Sequence, residues 1–281
     1  MTDQPHLPKA ELSTGKPVQI DGVFNVRSFG GYPSSLAPNT TTRHGHIYRA
    51  GHLRDITTDG LNRLRDLGVN TIIDLTNSGE TKVLFTDEPG GTSAQCKVLN
   101  LPLAKNAFSV KGLSEKYKRY LTEGERAVAQ SYLTLLTDGA RVLRDILLYI
   151  RDYPDDTLLI HCAMGKDRTG VIFAVLLCLA GVPDKVIAEE YALSETALGE
   201  ALPDIAAAIK KAMPVVDDVG AMERARIVIK TSEEAMALML KLIEKEFGGV
   251  LGYVTKCCEL SMEDVKRIQD ALTRSSSGPA E

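Results

Sequence analysis

Residues 161–170 read His161-Cys162-Ala163-Met164-Gly165-Lys166-Asp167-Arg168-Thr169-Gly170. Two apolar runs flank this polar segment, residues 158–160 before it and residues 171–182 after it. A glycine-containing turn between a buried strand and a buried helix presents backbone N–H groups that attract negative charge. The segment therefore predicts a strand, an anion-binding loop and a helix.

Cys162 and Arg168 lie at the two ends of this loop, with five residues between them. A thiol surrounded by N–H groups and cationic side chains is held as thiolate, which is its nucleophilic form. The planar guanidinium of Arg168 and the amides of residues 163–168 can bind the oxygens of a phosphate. The pattern predicts a cysteine-nucleophile phosphatase in which Cys162 attacks phosphorus.

Such a reaction also needs an acid for the leaving oxygen. Residues 103–111 follow a predicted strand, where the topology favours a separate acid-bearing loop, but they contain no carboxylate. Asp167, inside the loop, is therefore the candidate general acid and base. Thr169 is placed to hydrogen-bond the thiolate, and His161 to orient the cysteine backbone.

Composition limits the class of protein. The chain has 281 residues, 44% hydrophobic residues and a net charge of −4, which indicates a globular protein without the basic face that nucleic-acid binding needs. Its five cysteines are sparse and form no CxxC pair, so neither a disulfide framework nor a zinc site is indicated. The longest apolar run, residues 171–182, is too short to span a bilayer, and the N-terminus lacks a signal-peptide pattern. We therefore predict a cytoplasmic protein.

Hydrophobic spacing predicts alternating helices and strands. Leu61, Leu64 and Leu67 are spaced for a helix capped by Thr57 or Thr58, and residues 69–75 and 98–102 are strand-like. Residues 127–151 are helical with a break at Gly139, residues 33–45 have loop composition, and helices dominate after Pro183. An α/β fold with one domain is the prediction.

Several segments resemble one known family. Residues 161–170 match the Cys-x5-Arg signature of the protein tyrosine phosphatases, in the fuller form found in atypical tyrosine and lipid phosphatases of bacteria and fungi. Residues 25–32 resemble that family's Asn-Phe-Arg-Asp-Leu-Gly-Gly-Tyr opening. Further similar segments are Ile47-Tyr48-Arg49-Ala50 with Leu53, Asp74-Leu75 with Glu80, and residues 232–253. The resemblance covers roughly residues 20–272.

The resemblance implies a cysteine-phosphatase fold, with a central, mostly parallel sheet flanked by helices and a helical C-terminal half. One domain at residues 20–272 would have flexible tails at residues 1–19 and 273–281. No cofactor and no metal are implied. The implied catalytic residues are Cys162, Asp167 and Arg168, and the implied substrate-binding residues are Ala163, Met164, Gly165, Lys166, Arg168 and Thr169.

Lys166 bears on the substrate, because the family associates this lysine with phosphoinositides as well as phosphotyrosine. The resemblance thus implies a dual-specificity phosphatase for phosphotyrosine, with phosphoserine and phosphothreonine as further protein substrates, and for phosphoinositides, with transient contact at a membrane surface. The family's arginine after Asp-Leu is Thr76 here, and the acidic residue that some members carry after the strand proline is Leu103. Both changes concern substrate preference rather than the loop chemistry.

Two other functions are also consistent with the sequence. A dedicated phosphoinositide phosphatase and a phosphate-binding protein without turnover are the rival functions, whereas a Walker-type loop is excluded because Asp167 follows Gly165-Lys166.

Single residues outside the loop also have alternative roles. We expect Asp74 to anchor the sheet, and Arg49, like Arg27, either pairs with a carboxylate or lines the cleft. The basic side chains Lys111, Lys116, Lys118 and Arg119 form either a solvated face or a lid, and Tyr117 and Tyr120 either stack on phosphotyrosine or pack inward.

Overall fold

A computed structural model of the chain describes residues 14–77, 96–103 and 122–275. Its strands are β1 (Arg27–Ser28), β2 (Pro33–Ser34), β3 (Thr40–Thr42), β4 (Ile47–Ala50), β5 (Thr71–Asp74), β6 (Lys97–Asn100), β7 (Leu158–His161) and β8 (Thr273–Ser275). Its helices are α1 (Thr58–Asp66), α2 (Glu125–Asp138), α3 (Ala140–Asp152), α4 (Asp167–Leu179), α5 (Asp184–Ala197), α6 (Leu202–Ala212), α7 (Asp218–Ile229), α8 (Glu233–Phe247), α9 (Gly249–Lys256) and α10 (Met262–Leu272).

The main sheet has five strands in the order β1-β4-β7-β5-β6. The pairs β4–β7, β7–β5 and β5–β6 are parallel, and only β1 at one edge is antiparallel. Every residue of β7 is buried, as expected for the middle strand of a sheet covered on both faces. The predicted α/β fold with a mostly parallel sheet and a helical C-terminal half is confirmed.

Helix α4 occupies the centre of the larger core. All of its residues except Cys178 are buried, which explains why its sequence is apolar over its whole circumference. The break predicted at Gly139 is confirmed, since this glycine separates α2 from α3. Helix α4 thus fixes the loop that precedes it against the rest of the molecule.

A small second sheet, in the order β2-β3-β8, was not expected from the sequence. The predicted loop at residues 33–45 contains β2 and β3, whose short Ser- and Thr-rich strands carry no apolar alternation to reveal them. Both ends of the fold extend beyond the predicted domain boundaries. Val18 is buried and its N–H donates to Val26, and Thr273–Ser275 pair with β3.

Helices α6 and α7 form a hairpin with a small cluster of its own, built from Ala206, Ala221 and Ala225. Helices were predicted throughout this region, but α7 was not distinguished as a separate helix, although Asp217 caps it by accepting a hydrogen bond from the N–H of Gly220. Its buried side chains are mostly alanine, and these give a weak hydrophobic period. No helix within the described ranges is long and apolar enough to cross a membrane.

Candidate active site

The loop at residues 162–166 lies at the carboxyl end of β7, between the ends of β4 and β5. In open α/β sheets this edge is where ligands bind. Ala163 is exposed and Met164 is half-buried, whereas Cys162 and residues 165–170 are buried. The exposed part of the loop therefore leads to a largely enclosed site.

Gly165 is required by the geometry of this turn. Its φ is +63°, a conformation that side chains disfavour, and an added Cβ would overlap the backbone of Ala50. The loop can thus lie directly against the end of β4 only with glycine at this position.

Cys162 has the environment of a stabilised thiolate. Burial by itself would raise the pKa of the Cys162 thiol, but the Arg168 guanidinium and the neighbouring Thr169 outweigh it. The pKa is therefore lowered, even though Asp167 acts in the opposite direction. Thr169 thus contributes to the low pKa of this thiol, and its hydrogen bond to the sulfur stays a prediction.

Arg168 belongs to the first turn of α4 and is 5% exposed. Its Nη1 donates to the carbonyl of Leu75, just after β5, at 3.0 Å. This contact holds the guanidinium beside Cys162, where it can stabilise negative charge on the sulfur or on a bound phosphate.

Asp167 begins α4 and is contacted by Tyr132, which in turn contacts a second tyrosine. The hydroxyl of Tyr132, from α2, donates to Oδ1 of Asp167, and it lies 2.6 Å from the hydroxyl of Tyr191. Tyr191 is itself buried. The sequence did not indicate Tyr132 as a site residue, because Asp167 lies 35 residues away from it along the chain. The contact fixes the orientation of the carboxyl group.

Lys166 does not have the position expected for a residue that binds a second phosphate. Its side chain is 2% exposed, and Nζ donates to the carbonyls of Val228 at 2.6 Å and Lys230 at 3.0 Å, and lies 3.9 Å from Asp167. The last carbonyls of a helix have no intrahelical partners and carry the negative end of its dipole, so the end of α7 attracts the ammonium group. Lys166 therefore links the loop to the helical hairpin.

His161 and Asp74 lie beneath the loop at the ends of neighbouring strands. His161 Nδ1 is 3.3 Å from the carbonyl of Cys162, and Nε2 is 3.7 Å from Oδ1 of Asp74. Burial lowers the pKa of His161, against the opposing effect of Asp74, so the ring is neutral at pH 7. Asp74 also accepts a hydrogen bond from the N–H of Thr76 at 2.8 Å. Both residues thus contact backbone next to the site.

Arg49 is fully buried and pairs with a carboxylate. Its Nη1 lies 2.7 Å from Oε2 of Glu190, and its Nη2 donates to the carbonyl of Gly165 at 2.6 Å. Arg27 reaches Oε1 of the same glutamate, also at 2.7 Å. The sequence alone did not indicate that Glu190 would be a partner of these arginines. Leu103 is buried, and the remaining residues of interest, Glu80, Lys111, Lys116, Tyr117, Lys118, Arg119 and Tyr120, lie outside the described residues.

Comparison with known proteins agrees with this geometry. The model of the tyrosine phosphatase family matches residues 18–274. The chain is similar to the triple specificity protein phosphatase PtpB of Mycobacterium tuberculosis, with 24% identity over 90% of this chain and 98% of the relative. It is also similar to a putative tyrosine-protein phosphatase of Cupriavidus necator, with 25% identity over 66% of each chain. A tyrosine-protein phosphatase of Nostoc commune is 34% identical over 27% of this chain and 26% of its own length.

The match extends over nearly all of the described fold, from the strands at the sheet edge to α10 and β8. Membership of this family means that the protein acts on phosphorylated molecules and releases phosphate from them. The chain belongs to the tyrosine phosphatase family and is a phosphatase of the protein tyrosine phosphatase type.

Proposed function

We propose that the protein hydrolyses phosphotyrosine in proteins through a cysteinyl-phosphate intermediate on Cys162. In the first step a bond forms between sulfur and phosphorus, the ester bond breaks, and Asp167 gives its proton to the leaving oxygen. In the second step Asp167 takes a proton from water, whose oxygen attacks phosphorus, and the thiolate leaves as inorganic phosphate is released. Arg168 and the loop amides stabilise charge on the phosphoryl oxygens in both steps.

The observation that carries this proposal is the position of Cys162, a buried thiol at the start of a loop that lies against β4 through Gly165, with Arg168 close enough to lower its pKa. A thiolate at neutral pH is a strong nucleophile, whereas an ordinary buried cysteine is inert. Burial raises the pKa of Cys178, which lies inside α4, to about 12, with a smaller contribution from Asp184, so the two thiols differ in the environment that sets their pKa.

Trapping the intermediate tests the reaction path. Turnover of p-nitrophenyl phosphate is stopped with acid, and the peptide containing Cys162 is examined by mass spectrometry for one phosphoryl group. We expect phosphate on Cys162 and on no other cysteine. Full turnover by protein in which Cys162 has been alkylated would contradict the proposal. Phosphopeptide binding without any turnover would favour a phosphate-binding protein instead.

The role of Asp167 is tested by Asp167→Asn. We expect kcat to fall by about 10²- to 10⁴-fold for a phosphotyrosine peptide, whose leaving oxygen needs a proton. The loss should be smaller for p-nitrophenyl phosphate, whose leaving group departs as an anion. Asp184→Asn is the matched control, because Asp184 also lies in the first turn of a helix but is exposed. Equal losses for the two substrates would point to another acid.

Phosphoinositides and phosphoserine or phosphothreonine peptides are proposed as further substrates, by analogy with the relative that is named a triple specificity phosphatase. For a phosphoinositide, Lys166 would supply charge to a second phosphate once its ammonium leaves the carbonyls of Val228 and Lys230. A panel of short-chain phosphoinositides and phosphorylated peptides measures these activities side by side. Phosphate release from lipids alone would identify a dedicated phosphoinositide phosphatase.

Lys166→Met separates the two roles of this lysine. We expect the free energy of unfolding to fall by about 2 kcal/mol, because two carbonyls at the end of α7 lose a charged donor. We also expect phosphoinositide hydrolysis to fall more than phosphotyrosine hydrolysis. Thermal or urea unfolding and the substrate panel measure the two effects, with the exposed Lys185→Met as control. Equal losses of activity toward lipid and peptide would indicate that Lys166 anchors the helical hairpin and does not select the substrate.

A further inference from the structure

Four successive carbonyl groups of the loop accept hydrogen bonds from residues outside the loop. The carbonyl of Ala163 accepts the N–H of His52 at 3.0 Å. The carbonyl of Met164 accepts Nδ2 of Asn25 at 2.9 Å. The next two carbonyls both face Nη2 of Arg49, that of Gly165 at 2.6 Å and that of residue 166 at 3.4 Å.

This arrangement determines where the loop N–H groups point. In a planar trans peptide the C=O and the following N–H are directed to opposite sides. Outward carbonyls at residues 163–166 therefore turn the N–H groups of residues 164–167 inward, toward the space beside Cys162. A loop whose N–H groups already converge binds an anion without first having to reorganise.

The groups that hold these carbonyls are themselves connected by one carboxylate. Oε2 of Glu190 binds Arg49, which reaches the carbonyl of Gly165. Oε1 of Glu190 binds Nε of Arg27, whose Nη1 donates to Oδ1 of Asn25. Asn25 in turn holds the carbonyl of Met164. Both series of hydrogen bonds that hold the loop carbonyls thus begin at Glu190.

The surroundings make this network rigid. Glu190 is 3% exposed, Arg27 1% and Arg49 0%. Ser194, one turn further along α5, accepts a hydrogen bond from Arg27 at 2.9 Å, and the Arg49 guanidinium lies over the ring of Phe173. Burial alone would raise the pKa of Glu190, but the two arginines outweigh it and lower the pKa, so the carboxylate is charged. With two buried cations and one anion, the network of Arg27, Arg49 and Glu190 itself carries a net positive charge.

We propose that Glu190 is a positioning residue, which acts through Arg27 and Arg49 to keep the loop carbonyls outward and the loop N–H groups directed at a bound phosphate. This inference rests on the proposed function of the loop and names a residue that does not touch substrate. A merely structural ion pair would affect only the stability of the fold. A positioning residue also changes anion affinity and the rate of the reaction in protein that remains folded.

The test compares wild-type protein with Glu190→Gln, Glu190→Asp and the neighbouring Glu189→Gln. Glu189 lies on the same helix, is exposed and lies 3.7 Å from Nζ of Lys185, which makes it a matched control. Folded protein, verified by circular dichroism, is titrated with inorganic phosphate in a calorimeter, and kcat and KM are measured with p-nitrophenyl phosphate.

For Glu190→Gln we expect phosphate affinity to fall about tenfold or more and kcat/KM to fall about 100-fold. Glu190→Asp keeps the charge with a shorter reach and should give intermediate losses, while Glu189→Gln should match the wild type. Folded Glu190→Gln with phosphate affinity and kcat/KM within about twofold of the wild type, a margin of ~0.4 kcal/mol, would overturn the proposal. Because phosphate binding needs no turnover, an inactive wild type would contradict the proposed function while the affinities still decide the role of Glu190.

A second variant addresses the same mechanism if Glu190→Gln does not fold. Asn25→Asp keeps an oxygen for Arg27 and tolerates the positive φ of 58° at this position, but it removes the donor to the carbonyl of Met164. We expect a folded protein whose phosphate affinity is lowered about fivefold. Unchanged affinity would show that outward carbonyls do not govern anion binding.

Discussion

Cys162→Ser is expected to lower kcat for p-nitrophenyl phosphate by roughly 10⁴- to 10⁶-fold, which is the scale of loss when an enzyme's nucleophile is removed. A serine hydroxyl is similar in size to the thiol but stays protonated at neutral pH. The groups that lower the pKa of Cys162 therefore cannot make serine an anion. Arg168 and the loop amides remain, so binding of a phosphotyrosine peptide should be retained within a few-fold, a change of about 1 kcal/mol at most.

Cys178→Ser is the matched control for this experiment. Cys178 lies on the same helix as the loop's arginine, but burial keeps its thiol protonated, and we expect its replacement to leave kcat unchanged. Stopped assays with high enzyme concentration measure the residual rate, and calorimetry measures peptide binding. Activity near that of the wild type in Cys162→Ser would rule out the covalent mechanism. Loss of binding together with activity would instead indicate that the substitution disturbs the loop.

The parts of the site that could be predicted are contiguous in the sequence. A strand, a turn and a helix bring Cys162 and Arg168 together by local geometry alone, since β7 ends at His161 and α4 begins at Asp167. The same holds for Gly139, which separates α2 from α3, and for Ser261, whose capping box begins α10. Their structural roles need no distant partner.

The contacts that hold the loop in place could not be predicted from contiguous sequence. Glu190 meets Arg27 across 163 residues and Arg49 across 141, and nothing in the composition of α5 indicates that one of its carboxylates is buried. The partners of Lys166 could not be predicted for a related reason. A lysine in an anion-binding loop favours a phosphate partner, but the carbonyls that it contacts lie at the end of α7, 62 and 64 residues away, where the sequence indicated helical structure without placing a helix end. Tertiary packing, rather than local pattern, selects these partners.

Arg168→Met and Arg168→Lys together separate the charge of the arginine from its shape. Both should lower kcat/KM about 10³-fold, because neither side chain can bind two phosphoryl oxygens through a planar fork. The two should differ in the pH dependence of Cys162 alkylation by iodoacetamide. Arg168 opposes the effect of burial on this thiol more than any other group, and its charge lowers the pKa. Removing that charge raises the pKa, so the half-maximal alkylation rate of Arg168→Met should move to higher pH.

Arg168→Lys keeps a positive charge near the sulfur, so its alkylation midpoint should stay closer to that of the wild type while phosphate affinity is lost. Arg144→Met is the control, since Arg144 also donates to carbonyls, those of Cys258 and Glu259, but lies away from the loop. We expect this variant to leave the alkylation profile unchanged. If Arg168→Met alkylated with the midpoint of the wild type, Thr169 would have to account for the low pKa of the thiol. If Arg168→Lys behaved like Arg168→Met, the position of the guanidinium against Leu75 would matter more than its charge.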